Sequence, residues 1–188
     1  MNRTSDTLDL ADPATVSVRA RPHRDEAFRQ LADVHLDRAY RLARAILRDQ
    51  SEAQDATHDA FVQAWRNWGT LRDPERFEPW FDRILVNTCR NRLRSKYRLA
   101  SDISAEVALA AGDHVQNAED RAVIGAALAA LSPDQQIVVA LRFYRDLPVG
   151  DIASRLGIAE GTVRSRLHYA LKRLRGAIQA RGPRGTDR

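Results

Sequence analysis

The stretch from Leu147 to Arg175 carries polar side chains at a spacing suited to reading the edges of DNA bases. Apolar residues such as Ile152 and Val163, separated by Gly157 at a sharp turn, predict two helices crossing steeply as a helix-turn-helix. In this motif the second helix enters the major groove, where an arginine can fork onto guanine O6 and N7. The solvent face of that helix carries Arg164, Ser165, Arg166, His168, Tyr169, Lys172 and Arg173. The alternative is a basic amphipathic helix that packs on a protein.

A second polar group lies further upstream and is suited to unpaired nucleic acid. It consists of Asn87, Asn91, Arg94 and Arg98. Their spacing places them on one stripe of a helix, within about 40° of one another at 100° per residue. Asparagine and arginine hydrogen-bond base edges and backbone, while neighbouring rings can stack on unpaired bases. The alternative is a solvated helix face above a core that contains Trp80 and Phe81.

Helices must position both groups, because helical periodicity dominates the chain and no alternating strand pattern is found. Ser51 with Gln54, and Ser132 with Gln135, are spaced as capping boxes that start two of these helices. Asp73, followed by a proline, predicts the start of another helix. We expect helices over about 25–48, 51–68, 73–98, 118–131, 133–144, 148–156 and 160–179.

The predicted fold is therefore all-α, with two small helical domains joined by a flexible acidic linker, the C-terminal domain being the helix-turn-helix. Residues 101–120 carry five acidic residues and no basic one, which marks the linker. The predicted division is a disordered N-terminal extension, a first domain, the linker, a second domain and a tail, over 1–24, 25–98, 99–117, 118–180 and 181–188.

Charge is spread unevenly along the 188 residues, whose formal net charge is +5. Residues 121–188 carry twelve basic and five acidic residues, which suggests a polyanionic partner. Only Lys96 and Lys172 are lysines among the 30 basic residues. The planar fork of arginine suits phosphates and guanine edges, although a GC-rich genome would also favour arginine.

Cysteine and histidine usage argues against a metal, a cofactor or catalysis. The single cysteine, Cys89, excludes an internal disulfide framework and a CxxC zinc site. It sits within a predicted helix beside apolar residues, with no histidine near it in sequence, so we favour a core cysteine over a nucleophile. The five histidines show no metal-binding spacing. We expect no catalytic residue, no metal and no cofactor.

No apolar run approaches the roughly 20 residues that span a bilayer. The first 24 residues lack the apolar segment of a signal peptide. We therefore expect a cytoplasmic protein without membrane insertion.

Both polar groups lie in segments that resemble a known family. DATHDAFVQAWRNW (55–68) and RFEPWFDRILVNTCRNRLR (76–94) resemble region 2 of bacterial sigma factors of the extracytoplasmic-function type. The segment LSPDQQIVVALRFYRDLPVGDIASRLGIAEGTVRSRLHYALKRLR (131–175) resembles region 4 of the same factors. The resemblance covers about residues 25–178, with both modules in the order and spacing of the family.

The resemblance implies a non-enzymatic subunit that binds core RNA polymerase, directs it to promoters and helps to open the duplex. It implies an anti-sigma factor as a further partner. By resemblance, the polymerase-binding residues are Asp55, Asp59, Gln63 and Arg66. The residues for the melted −10 element are Leu71, Asn87, Asn91, Arg94 and Arg98. The duplex −35 element is matched by Arg164, Ser165, His168 and Tyr169, with Arg166, Lys172 and Arg173 nearby; Arg166 and Lys172 are better placed for phosphates, which position without specifying.

Two further interpretations concern the whole chain and its linker. A helix-turn-helix regulator that is not a sigma subunit would explain residues 121–178 equally well, but it does not account for residues 25–98.

In the resembling family the linker threads the RNA path of the polymerase, so the acidic residues of 101–120 could imitate RNA. The alternative is a plain tether.

Overall fold

The computed structural model describes residues 21–102 and 118–180, and the side chains within 25–98 and 124–180. These ranges contain α-helices and two short 3-10 turns and no strand, which confirms the predicted all-α class. The helices are α1 (Arg21–Leu47), α2 (Gln50–Asn67), α3 (Phe77–Asp102), α4 (Ala118–Ala129), α5 (Pro133–Phe143), α6 (Val149–Leu156) and α7 (Glu160–Gln179). Most of the predicted linker, the first 20 residues and the tail after residue 180 lie outside the described residues.

The first helical region consists of α1, α2 and α3, which pack on one another around large apolar side chains. Phe77, Phe81 and Leu85 of α3 are buried, and they meet apolar residues of α1 such as Leu42 and Ile46. The side of α2 that faces them is built from four fully buried alanines, Ala53, Ala56, Ala60 and Ala64. Small side chains let α2 approach its neighbours closely, and this packing fixes the direction of α3.

The start of α2 differs from the prediction. Ser51 does not act as the N-cap; Asp49 does, with extended backbone angles and a carboxylate that accepts from the Glu52 amide at 2.9 Å. The helix begins at Gln50 because Asp49, two residues before Ser51, satisfies a free amide of an earlier first turn. The bond to the Glu52 amide lowers the pKa of Asp49.

The end of α3 also differs, since the helix continues to Asp102 instead of stopping near Arg98. Residues 99–102 include leucine and alanine, which favour helix, and no glycine or proline interrupts them. The first four residues of the predicted linker are therefore helical.

The second helical region consists of α4 to α7 and contains the helix-turn-helix. The capping box at the start of α5 is confirmed: Ser132 accepts from the Gln135 amide while the Gln135 side chain accepts from the Ser132 amide. Gly157 follows α6 with φ 64°, a left-handed conformation that glycine adopts without strain. Ile152, Val163 and Leu167 are buried where α6 and α7 meet.

The two helical regions pack against each other in this structure. Helix α5 contacts α1 and α3, and α6 contacts α3. Buried residues of both regions, among them Phe81, Ile137, Leu141 and Ile152, belong to one continuous apolar cluster. The polar faces predicted to bind nucleic acid are therefore held close together.

Candidate nucleic-acid interface

The outer face of α7 presents most of the residues predicted to contact duplex DNA. Arg164, Ser165, His168 and Tyr169 are exposed, and Tyr169 keeps 58% of its surface accessible. The rings of His168 and Tyr169 meet edge to face at 5.5 Å. The face is therefore polar at its first turns and aromatic in its middle. Side chains of these types can contact base edges and thymine methyl groups.

The first turn of α7 has an acidic neighbour that the sequence reading missed. Glu160 Oε2 lies 2.6 Å from Arg164 Nη2, and both side chains are exposed. The N-cap residue, Ala159, provides no side-chain hydrogen bond, as its type predicts. The signal was present in the sequence, because glutamate and arginine four residues apart meet on a helix surface.

Arg166 is bound to a residue outside α7. Its Nη2 lies 2.8 Å from Asp134 Oδ2 at the start of α5, and its side chain is three-quarters covered. Lys172 and Arg173 are exposed, and within the described part of the chain they form no ion pair. Lys172 and Arg173 are therefore available to a phosphate, whereas Arg166 is already bound to Asp134.

The predicted stripe on α3 forms one wall of an open groove. Asn91, Arg94 and Arg98 are exposed, and together with Tyr97 they line a groove of about 640 Å³. The opposite wall is the start of α5, contributed by residues 132–134. Arg94 and Arg98 make no ion pair with any residue that the structure describes, so both guanidinium groups are available to a ligand.

Asn87, the first residue of the stripe, is oriented by Arg90. Its Oδ1 accepts from Arg90 Nη1 at 2.9 Å, which leaves the Nδ2 hydrogens for another acceptor. Arg90 Nε also donates to Asp134 Oδ1 at 3.2 Å. Asp134 thus holds Arg90 beside the α3 stripe with one oxygen and Arg166 of α7 with the other.

A buried ionic cluster joins the two helical regions behind these faces. Asp82 of α3 has no exposed surface, and its Oδ1 lies 2.5 Å from Arg145 Nη2. Arg155 Nε of α6 lies 3.3 Å from the other oxygen, and Arg145 also approaches Glu78 at 3.6 Å. Burial raises the pKa of the Asp82 carboxyl, and the charges of Arg145 and Arg155 oppose that rise.

The predicted polymerase-binding face of α2 is linked to α3 through one arginine. Arg92 Nη2 lies 2.6 Å from Asp59, while its Nη1 lies 2.9 Å from Glu52 and 3.8 Å from Asp55. The bond from Arg92 lowers the pKa of Glu52. Gln63 and Arg66 lie further along α2 and are exposed. Two of the four predicted residues are therefore fixed by α3.

Leu71 lies in the segment between α2 and α3 and is half-buried against the core of the first helical region. Trp68 beside it is buried, with its ring centroid 6.3 Å from that of Trp80. Phe81 is buried as predicted, whereas Trp80 remains partly accessible. The structure brings Leu71 against the aromatic core and not onto the exposed stripe.

Cys89 is fully buried, and burial raises the pKa of its thiol to about 12. We predict that the folded protein does not react with a thiol reagent such as Ellman's reagent at pH 8, and that one thiol per chain reacts in denaturant. Absorbance at equal protein concentration measures both. Rapid stoichiometric labelling of the folded chain would show instead that Cys89 is accessible.

Comparison with known proteins agrees with this geometry. The family model for sigma-70 region 2 matches residues 31–99, and that for sigma-70 region 4 matches residues 127–176. The ECF RNA polymerase sigma factor SigL of Mycobacterium tuberculosis is 34% identical over 159 residues, covering 82% of this chain and 90% of the relative. The RNA polymerase sigma-E factor of Streptomyces coelicolor is 30% identical over 156 residues, covering 82% and 87%.

Two solved structures share the fold. The sigma factor RpoE of Bartonella quintana, in complex with the anti-sigma factor NepR, aligns with a TM-score of 0.64 at 23% identity, over 86% of this chain and 98% of that one. CnrH in complex with the cytosolic domain of CnrY aligns with a TM-score of 0.60 at 24% identity, over 83% and 90%.

The chain contains sigma-70 region 2 followed by sigma-70 region 4, and each region has an exposed polar face. This combination defines a promoter-recognition subunit. The chain belongs to the sigma-70 family and is a member of its extracytoplasmic-function class. It is a sigma factor that associates with core RNA polymerase and promoter DNA in transcription initiation. None of the helices in the described ranges has the length and apolar content needed to cross a membrane.

Proposed function

We propose that the α3 stripe binds the unpaired strand of the −10 element. The observation that carries this proposal is a difference within one helix. Carboxylates neutralise Arg90 and Arg92, whereas Arg94 and Arg98 form no ion pair with a described residue and line an open groove whose acid, Asp134, is bound by Arg90 and Arg166. Free guanidinium groups attract the backbone of a single strand, and asparagine amides select among base edges. Leu71 lies apart from the stripe, against the aromatic core, and we assign to it the contact with a base that is extruded from the stack when the −10 element melts.

The exposed face of α7 reads the −35 duplex in this proposal. Arg164, Ser165, His168 and Tyr169 contact base edges, because they occupy the leading and middle turns of the recognition helix. Lys172 and Arg173 contact phosphates further along the groove. Arg166 joins them once its bond to Asp134 is broken.

The polymerase docks on the exposed face of α2, through Asp55, Asp59, Gln63 and Arg66. Arg92 of α3 is the positioning residue of this face, because its Nη2 binds Oδ2 of Asp59 at 2.6 Å. The docking surface on α2 is thus bonded to α3, the helix that carries the −10 stripe, and this link transmits the orientation of the polymerase to the promoter strand.

The two helical regions must separate before both promoter elements are bound. Arg90 and Arg166 lie on the same Asp134 carboxylate, at 3.2 and 2.8 Å. The two elements are about 25 base pairs apart, which corresponds to about 85 Å at roughly 3.4 Å per base pair. While Asp134 holds α3 and α7 together, the α3 stripe and the α7 face cannot reach two elements that far apart. Binding to the promoter therefore breaks the Asp134 and Asp82 contacts.

The chain acts in the bacterial cytoplasm, where promoter DNA is found, and it catalyses no reaction itself. An anti-sigma factor is a partner of this protein in our proposal. The sigma factor RpoE, which has a similar fold, is in complex with the anti-sigma factor NepR, and CnrH, also of similar fold, is in complex with the cytosolic domain of CnrY. Such a partner would act by retaining the two regions in a state that excludes the promoter.

The proposal for the stripe is tested with two single substitutions in the full chain bound to core polymerase. Asn87→Ala should reduce the preference for one base of a single-stranded −10 oligonucleotide more than it reduces total binding. Arg94→Ala should weaken binding to all such oligonucleotides and lower the salt slope by about 0.7, the value for one contact to a single strand. Fluorescence anisotropy of labelled oligonucleotides at several salt concentrations measures both effects.

Gln30→Ala serves as the control, because Gln30 is an exposed amide on α1 that binds only Glu26 among the described residues. It should leave both measurements unchanged. If the wild type and all three variants bound duplex −10 DNA more strongly than single-stranded −10 DNA, the assignment of the stripe would be refuted.

A further inference from the structure

The first residue of the recognition helix is an acid placed on the face that reads DNA. Glu160 begins α7, and its Oε2 lies 2.6 Å from Nη2 of Arg164. A carboxylate at this position repels phosphates, so it lowers the affinity for DNA in general. Its presence beside a base-reading arginine therefore needs an explanation in terms of specificity.

The Glu160 carboxylate lies between Arg164 and the first turn of α6. Arg164 binds one oxygen, and the other lies against the first turn of α6, where a side chain at Gly150 would meet Oε1 at 3.2 Å. The glycine leaves room for the carboxylate at the positive end of the α6 dipole. Nη2 of Arg164 is thereby bound to Glu160, and its Nε and Nη1 groups have no hydrogen-bond partner among the described residues.

This arrangement has a direct chemical consequence in a major groove. Arginine forks onto the O6 and N7 acceptors of guanine, whereas glutamate accepts from the N4 amino group of cytosine. A fixed pair of these side chains suits a G·C pair, or a G and a C on neighbouring pairs. Where the groove presents an acceptor in place of the cytosine amino group, the oxygen of Glu160 that is not bound to Arg164 faces that acceptor without a hydrogen bond, which is penalised.

From these contacts we propose that Glu160 is a specificity-determining residue for the −35 element. It positions Arg164 and selects cytosine at the base pair read by Arg164 or at the adjacent pair. The inference rests on the proposed role of α7 in reading duplex DNA. It adds a residue whose contribution is to reject wrong sequences while weakening non-specific binding.

The test is a selection with holoenzyme, assembled from core polymerase and the full-length chain, on promoter duplexes whose −35 segment is randomised. Sequencing of the bound fraction gives the base preference at each position. Glu160→Gln should lower the preference at the Arg164-dependent pair about tenfold. It should also raise the affinity for random duplex about two- to threefold, because one negative charge is removed.

Asp151→Asn is the matched control. Asp151 is an exposed acid in the first turn of α6, and it faces Arg155 with the same four-residue spacing, at 3.9 Å. This variant removes the same charge from the helix-turn-helix and should raise non-specific affinity equally, with base preferences unchanged. Arg164→Ala identifies the pair at which Glu160 is expected to act.

Each outcome decides between the possibilities. Equal base preferences in wild type and Glu160→Gln would overturn the inference while leaving the role of α7 intact. A wild-type holoenzyme that enriches no −35 sequence would overturn the proposed role of α7 itself. A loss of preference in Asp151→Asn as large as that in Glu160→Gln would reduce the effect to net charge and would also overturn the inference.

Discussion

Replacing Asp82 by alanine is expected to separate the two helical regions while leaving each of them folded. In the structure Asp82 is fully buried between Arg145 and Arg155. Without the carboxylate, the two buried guanidinium groups would keep only distant carboxylates, Glu78 at 3.6 Å and Asp151 at 3.9 Å. Breaking a buried ion pair in this way costs about 3–5 kcal/mol. Opening the contact lets water solvate both arginines, so opening becomes the favourable response.

The separation can be followed by energy transfer between two dyes. Ser51→Cys on α2 and Ser154→Cys on α6 place exposed thiols on the two regions, and the buried Cys89 does not compete for the label. Transfer efficiency should fall in the Asp82→Ala protein, with helix content by circular dichroism unchanged.

Asp37→Ala is the control for this measurement. Asp37 is an exposed acid whose ion pair with Arg41 lies within α1, so its removal should leave the transfer efficiency unchanged. Unaltered energy transfer in Asp82→Ala, combined with a lower melting temperature, would contradict the account. That result would make Asp82 a core residue of a contact that does not open.

The second large effect is expected from Arg164→Ala. Removal of the guanidinium should weaken binding of the holoenzyme to its preferred −35 duplex by about 1–3 kcal/mol and relax the preference at one base pair. The reason is that an arginine on the leading turns of a recognition helix contributes two directed hydrogen bonds to guanine. Competition between the preferred duplex and single-base variants, at fixed salt concentration, measures both changes.

Arg173→Ala provides the contrast on the same helix. Arg173 is exposed, lies two turns further along α7 and has no ion pair with the described residues. Its loss should weaken all duplexes alike and reduce the salt slope by roughly one. If Arg164→Ala instead weakened specific and random DNA equally, Arg164 would be a phosphate contact.

Local patterns in the sequence predicted most of the helices, because those patterns depend on neighbours a few residues away. The capping box at Ser132 and the turn at Gly157 are examples of local chemistry that decides local structure. The N-cap of α2 was predicted wrongly, since Asp49 and Ser51 both offer an oxygen acceptor and the spacing alone does not rank them. Hydrophobic periodicity fades after Arg98, but the helix continues to Asp102, because the last turn of a helix needs no apolar face.

Contacts between distant segments could not be read from spacing. Asp134 lies 44 residues from Arg90 and 32 from Arg166, and only the packing of α5 between α3 and α7 brings the three together. Asp82 offered a signal, since it is an acid among the buried residues Phe81, Leu85 and Val86, and a buried acid requires a partner. The identity of that partner depends on how the two regions pack.

For the same reason, the exposure of the candidate site residues could be predicted from the sequence, whereas their bonds to other helices could not. The stripe on α3 and the face of α7 follow helical geometry, so Asn91, Arg94, His168 and Tyr169 are exposed as their positions require. The bonds that fix or block individual side chains, such as those of Arg166 and Arg92, depend on a second helix. Their roles in binding stay predictions.

The most direct test of the account is run-off transcription with purified core polymerase and this protein. The template carries a −10 and a −35 element chosen by holoenzyme selection, and a second template has both elements scrambled. We expect a run-off transcript that requires both the protein and the intact elements, and that is lost when Arg164 and Asn87 are both replaced by alanine. Equal transcription with and without the protein, or equal transcription from both templates, would contradict it.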